Sequence, residues 1–283
     1  MSTMTGAAPR IRLDGPLPRP PLYTLLSVAQ EALDDEHWRA GANLMPYPAA
    51  LPSGQDPCAD GSEREKDFPD RTTYPDTFPT FTAYLGEVCT TFSTLPWDDF
   101  KERANAAMRA RVSWALERQL VDAEFIDAPH MGDDDVDLLA SGAAVPVVTA
   151  LGYLEDWLAT SGQDGVIHLT PSAAAVLGFE RLRDDRGVLR TARGTPVAVG
   201  DGYVGSDVPT SGGSADTAAT AGQSWLYVTG PVMYRLSELE ALPETIAEAL
   251  DRETNEVVYR AEQDLWVAWD KQIQGAVLAD WSP

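Results

Sequence analysis

The segment Asp98 to Phe125, DDFKERANAAMRARVSWALERQLVDAEF, constrains the fold more than any other in this chain. Ala104, Met108, Val112, Ala115, Leu116, Leu120 and Ala123 recur at steps of three and four, the spacing that lines one face of an α-helix. Pro96 precedes the segment, and Asp98 and Asp99 fall in its first turn, where the helix dipole favours negative charge. Lys101, Glu102, Arg109, Glu117, Arg118 and Asp122 are expected mostly away from the apolar stripe. With a rise of 1.5 Å per residue such a helix runs roughly 40 Å. That exceeds what most globular domains use, so it reads as a spine.

The flanking composition divides the chain. Met1 to about Pro21 is rich in Pro and Arg without apolar periodicity and reads as an extended arm, followed by a short amphipathic segment, YTLLSVAQEAL. From Met45 to Pro79 the sequence is dense in Pro, Gly, Asp and Ser. A stretch of that length without regular structure is uncommon inside a compact domain and points to a projecting or partner-ordered segment.

TFTAYLGEVCTTF reads as a strand leading to the helix. Beyond the helix an acidic loop, PHMGDDDVD, precedes a second helix in VPVVTALGYLEDWLATSG, ended by Gly162. Then come a strand in GVIHLT, a helix begun by Pro171 and Ser172, and two strands around the turn ARGT in GVLRTARGTPVAVGDGY. A Ser/Gly/Thr/Ala tract from Ser206 to Gln223 separates these from a strand in SWLYVTGPVMYRL, and a short polar helix is expected in ALPETIAEALDRE. Val257, Tyr259, Ala261, Leu265, Val267 and Trp269 stand two or four apart, as in a strand, and Gly275 marks the turn into a last strand, AVLADW, completing a terminal pair.

The chain carries 44 acidic and 21 basic side chains, a formal charge of -23. Nucleic-acid readers attract phosphate with basic surfaces, so this balance argues against a DNA reader while remaining compatible with a container that holds DNA without adhering to it. No run of about 18 apolar residues is present and the N-terminal stretch lacks a signal-like apolar centre, so the protein is expected to be soluble, made in the cytosol and without a membrane partner. Cys58 and Cys89 have no metal-ligand spacing and are expected as reduced, packing thiols.

Four features of the sequence could carry chemistry. Gly200, Gly202 and Gly205 have the spacing G-x-G-x-x-G of a dinucleotide loop, but SDVPTSGGSADTAATAGQ follows and cannot begin the helix that such a loop requires. These glycines are therefore expected to serve a strand end and turn needing positive φ. His37, His130 and His168 form no chelating pair, and His168 within GVIHLT reads as a strand residue and as the least unsuitable base for an enzyme. Asp133, Asp134, Asp135 and Asp137 lack the order of a calcium loop and read as a solvated acidic loop. The eight tryptophans are expected as core or interface anchors, with only Arg111 beside Trp114 hinting at a base-stacking groove. No catalytic, cofactor-binding or metal-binding residue is assigned, and no cofactor is implied.

The order of elements, with NEVVYRAEQDLWVAWDKQIQGAVLADW at the end and GVIHLTPSAAAVL followed by GVLRTARGTPVAVGDGY in the middle, resembles the major capsid protein of tailed bacteriophages. Encapsulin shells share that Johnson capsid fold. The resemblance implies an α+β capsid fold: an N-terminal arm over residues 1–44, and an extended loop with its strand over 45–96. It further implies the spine helix of a peripheral domain over 97–126, an axial α/β domain over 127–250, and C-terminal strands of the peripheral domain over 251–283. It implies a non-enzymatic subunit that self-assembles into pentamers and hexamers of an icosahedral shell around double-stranded DNA, located in the virion and made in the host cytoplasm. Its partners would be copies of itself, with decoration, portal and scaffolding proteins. An encapsulin-like compartment, or another virion component such as a tail or connector protein, is the alternative. Subunits this acidic repel one another, so assembly is expected to weaken at low ionic strength.

Overall fold

The computed structural model describes residues 16–33, 37–44, 76–89, 97–133, 136–206, 208–211, 214–215, 217–251, 256–271 and 273–282. Most of the arm, most of the Pro-rich stretch, and Cys58, Asp134 and Asp135 lie outside them.

In chain order the first strands are β1 (Gln30–Glu31), β2 (Ala42–Leu44), β3 (Asp76–Phe78) and β4 (Phe81–Cys89), and then the spine helix α1 (Trp97–Asp122). The middle of the chain holds β5 (Asp137–Leu138), β6 (Val145–Pro146), α2 (Val147–Ser161), β7 (Val166–Leu169) and α3 (Pro171–Arg181), then β8 (Leu182–Asp185), β9 (Val188–Thr191) and β10 (Pro196–Val199). The remainder is β11 (Thr210–Ser211), β12 (Ser214–Ala215), β13 (Gln223–Thr229), β14 (Val232–Leu236), β15 (Glu240–Leu242), α4 (Ile246–Ala249), β16 (Leu250–Asp251), β17 (Glu256–Trp269) and β18 (Gln274–Asp280).

Local chemistry explains the helix ends. Gly162 takes the left-handed conformation, φ 67°, that closes α2, and the Thr170 hydroxyl caps α3 ahead of Pro171 by accepting from the Ala173 N–H. Within α3, Gly178 leaves helical geometry at φ 56°, so the helix expected to run through GFERL is broken there and Phe179 is thrown outward, 83% exposed. The polar helix expected near residue 246 is a single turn, α4, flanked by the strands β15 and β16.

Two sheets organise the described residues. In the six-stranded sheet β17 is central: β4 runs antiparallel along one side, from Val257 opposite Cys89 to Leu265 opposite Phe81, and β14, β15 and β16 share the other, with β1 beyond β14. The eight-stranded sheet has the order β5-β18-β13-β7-β10-β9-β8, with β6 also on β18. Two sequence expectations are corrected here. SWLYVTGPVMYRL is two strands, because at Gly230-Pro231 the chain passes from the eight-stranded sheet to the other. The terminal strands also part company: β17 belongs to the six-stranded sheet, whereas β18 pairs with β13 from Gln274 opposite Thr229 to Asp280 opposite Gln223. The period-two signal specifies a strand, not its partner.

The eight-stranded sheet is a wall shared by two cores. Val166, Ala198, Trp225, Tyr227, Ala276 and Leu278 face a core built with α1 and the six-stranded sheet. Their alternating neighbours Ile167, Leu169, Val197, Leu226, Val228 and Val277 face a second core with α2 and α3. Because both faces are covered, these strands read as unbroken apolar runs. Along α1, Ala104, Met108, Val112, Ala115, Leu116 and Leu120 are buried as the stripe predicts. Burial of the two cores is the dominant favourable contribution to folding, at about 25 cal/mol per Å² of apolar surface removed from water.

Candidate functional site: a buried junction at Glu117

A buried polar cluster lies where α1, the shared wall and the segment around Leu25 meet. Glu117 was expected on the solvent side of α1, but it is buried, 1% exposed. One carboxylate oxygen accepts the Leu25 N–H at 3.1 Å and the Ser113 hydroxyl at 2.9 Å, while the other accepts the Gly202 N–H at 3.0 Å. A single side chain thus ties residues 25, 113 and 202 together. Burial raises its pKa above the ordinary carboxylate value; the Gly202, Leu25 and Ser113 hydrogen bonds oppose that rise and the nearby Asp201 adds to it.

The glycine run now has its explanation. A Cβ on Gly200 would stand 2.2 Å from the Glu117 carboxyl group, and one on Gly202 would stand 2.4 Å from Glu117 Cβ and 2.9 Å from the Trp114 carbonyl oxygen. Gly200 and Gly202 are therefore present for close approach to α1. Positive φ, the role expected for all three, applies to Gly205 alone, at 68°.

Beside this contact Tyr203 and His168 meet edge to face, ring centroids 5.3 Å apart. His168 is fully buried, with Nδ1 2.9 Å from the Tyr203 hydroxyl and Nε2 2.9 Å from Thr229 Oγ1. The Thr229 hydroxyl donates its one proton to the Gly230 carbonyl at 2.9 Å. It must accept from His168, so Nε2 carries the ring proton and Nδ1 accepts from Tyr203. Every polar atom of the imidazole is satisfied in its neutral form, and burial pushes its pKa down to about 3. Burial, and then the Glu117 charge, push the Tyr203 phenol well up.

A base with both nitrogens engaged and no solvent access has neither a vacant position for substrate nor a route for a proton. The cluster is a fastening, and the three groups with perturbed titration, Glu117, His168 and Tyr203, are perturbed chiefly by enclosure. The other sequence candidates are not drawn into it. His37 is exposed, His130 is half-buried on the loop after α1, and Asp133 pairs with Lys271 at 3.5 Å. Among the described residues no group of three or more His, Cys, Asp or Glu side chains could hold a metal ion, and no helix is long and apolar enough to cross a membrane.

No family model matches this chain, and no curated protein does. Solved structures match along almost its whole length. That of Mycobacterium phage Ogopogo covers 96% of this chain and 97% of its own, with TM-score 0.57 and 15% identity. That of Gordonia phage Cozz covers 96% and 91%, with TM-score 0.53 and 14% identity. The chain has the tailed-phage capsid fold.

Within this capsid fold the outward-facing features are surfaces. Tyr84, Met108, Arg111, Trp114 and Phe125 line a groove of about 390 Å³ between β4 and α1, in which Phe125 stacks on Phe81 at 5.1 Å and meets Trp114 edge-on at 6.1 Å. This is where the Arg111–Trp114 pair falls. Trp225, Trp266 and Trp269 are core residues. Sequence reasoning missed Glu117 and Tyr203, because an acidic residue on a helix and a tyrosine after a glycine turn carry no sign of burial. The signal that was present is the pair Gly200 and Gly202, small residues where another element must pass close by.

Proposed function

We propose that this chain is the major capsid protein of a tailed bacteriophage, assembling into pentamers and hexamers of a shell that encloses double-stranded DNA. The observation that carries this reading is the two-way correspondence with the phage structure, in which 96% of this chain accounts for 97% of the other. A match of that extent takes in the spine helix, both sheets and the segments around them, not one shared motif.

The physics is consistent with a tile. Its polar centre is closed, its two cores share one sheet, and its apolar grooves face outward. Burying such surface against several neighbours needs no reacting group, which supports a structural role and not an enzymatic one. Heterologous contacts that close produce rings. We assign residues 1–44 to an arm lying on neighbouring subunits, 45–96 to an extended loop with its strand, and 97–126 to the spine of a peripheral domain. Residues 127–250 form an axial domain whose sheet is completed by β18 of the C-terminal 251–283 segment. Decoration, portal and scaffolding proteins would meet the finished shell. A net charge of -23 keeps the packaged DNA from adhering to the wall.

Electron microscopy of the purified chain tests the reading. Closed shells of uniform diameter are expected, more abundant as ionic strength rises. Open tubes would assign the chain to a tail. A lone subunit at every salt and protein concentration would end the proposal. Native particles loaded with an enzyme instead of DNA would turn it toward an encapsulin-like shell.

A further inference from the structure

Resting on that reading, two features of the subunit answer each other chemically: an aromatic groove that the chain leaves open and a proline-rich strip that it leaves bare. The groove lies between β4 and α1, encloses about 390 Å³, and is lined by Tyr84, Met108, Arg111, Trp114 and Phe125 among others. Tyr84 is 70% exposed, Trp114 36% and Phe125 40%. Three large rings gathered in one recess and left in water by their own chain mark a binding surface.

The strip is Pro16-Leu17-Pro18-Arg19-Pro20-Pro21, every residue of it exposed and none in a helix or strand. Each of the six is a proline or directly precedes one, so sterics confine the whole strip to the polyproline II region. That conformation has about three residues per turn and rises about 3.1 Å per residue. Leu17 and Pro20 therefore share one edge and Pro18 and Pro21 the next, two adjacent apolar edges, while Arg19 falls on the third.

The polar groups of strip and groove are also of opposite kinds. Its prolines carry no N–H, so the strip offers carbonyl acceptors and cannot extend a sheet edge. In the groove, the Arg111 guanidinium and the Trp114 indole can only donate. The lengths agree: α1 rises roughly 9 Å from Met108 to Trp114, and the strip advances roughly 9 Å from Pro18 to Pro21. Proline-rich segments dock on aromatic grooves because their shape is fixed beforehand and little entropy is lost on binding.

We propose that Pro16–Pro21 of one copy docks in the Tyr84–Trp114–Phe125 groove of a neighbouring copy. A second copy is the occupant because the strip is exposed in its own subunit, where Leu25 just beyond it is tied to Glu117. The other proline-rich stretch, residues 46–57, fits less well, since Ala49 and Ala50 neither are prolines nor precede one and leave its shape unfixed.

A fluorescent peptide of residues 16–22, added to the full chain and followed by anisotropy, tests this. Saturable binding is expected, weakened about tenfold or more by Trp114→Ala or Tyr84→Ser in the chain, and by Pro18→Gly with Pro21→Gly in the peptide. Tyr84 is the more exposed of the two rings, so its variant keeps the test valid if Trp114→Ala does not fold. In the full chain, Pro18→Gly with Pro21→Gly should lower capsomer yield while leaving the circular dichroism and Tm of the subunit unchanged, because these prolines are exposed there. The proposal is overturned if the peptide does not bind, if both groove variants bind it as the native chain does, or if the double glycine chain assembles normally. Tighter binding of a peptide of residues 46–57 would give the groove to that stretch and overturn it too. A native chain that forms no capsomers under any condition fails the capsid reading instead, and the peptide measurement on the unassembled subunit is read independently of that outcome.

Discussion

The junction at Glu117 and the β8–β9 hairpin at Arg186 treat charge in opposite ways. At the junction a carboxylate and an imidazole are enclosed, and each polar atom finds its partner inside the same chain. At the hairpin, cations are displayed in water, one of them on a left-handed turn and another facing a like charge. Enclosed polar groups fix one arrangement of elements because any other leaves them unsatisfied. Displayed groups leave the fold unchanged and act only when something else arrives. The first region fixes how the elements pack, and the second leaves charge on the surface.

The comparison is tested hardest at Gly202. Gly202→Ala sets a methyl group against Glu117 and the Trp114 backbone, and a loss of ~3 kcal/mol or more in denaturant unfolding is expected. An unchanged midpoint would mean that the glycine run does not hold the junction. Glu117→Ala strands the donors of Leu25, Ser113 and Gly202, at an expected cost of about 2–4 kcal/mol. Glu117→Gln should cost less, since one amide oxygen can still accept two of those bonds.

His168 supplies a pH signature. Its folded pKa of about 3 lies below the ordinary 6.5, so the unfolded chain binds the proton first. Its contribution is complete above about pH 6.5 and is lost as pH falls toward 3. Glu117, raised by burial, acts in the other sense: the folded chain binds its proton more readily, and stability is lost as pH rises through its titration. In His168→Gln the dependence between pH 6 and 4 should flatten by about 1.4 kcal/mol per pH unit relative to the native subunit, as read by unfolding at each pH. Equal slopes would show that the histidine is not enclosed as described. The smallest effect belongs to the open region: Phe179→Ser should change subunit stability by less than about 0.5 kcal/mol, because little is buried there. A larger loss would place Phe179 in the core and erase the contrast between the two regions.

Much of the secondary structure was legible from residue order alone. The helix stripe from Ala104 to Leu120, the Gly162 stop, the Pro171 start and the alternation from Val257 to Ala261 are local patterns, and a chain reports its own local geometry through them. The break at Gly178 and the split at Gly230-Pro231 were less legible, since glycine permits a turn without requiring one. The junction was legible only in the pair Gly200 and Gly202, since the acidic character of Glu117 argued for solvent.

What the sequence determined by itself was the main helices and several of the longer strands, an acidic balance that argues against a DNA reader, and the failure of the glycine motif to precede a helix. Only the tertiary structure decided that β18 leaves β17 for the other sheet, that Glu117 turns inward, and that the arginine-rich β8–β9 hairpin ends the eight-stranded sheet. Helix and strand periodicities are properties of neighbours along the chain. Pairing, burial and polarity of a surface depend on which distant segments meet, and that is settled by the packing of two cores on a shared wall.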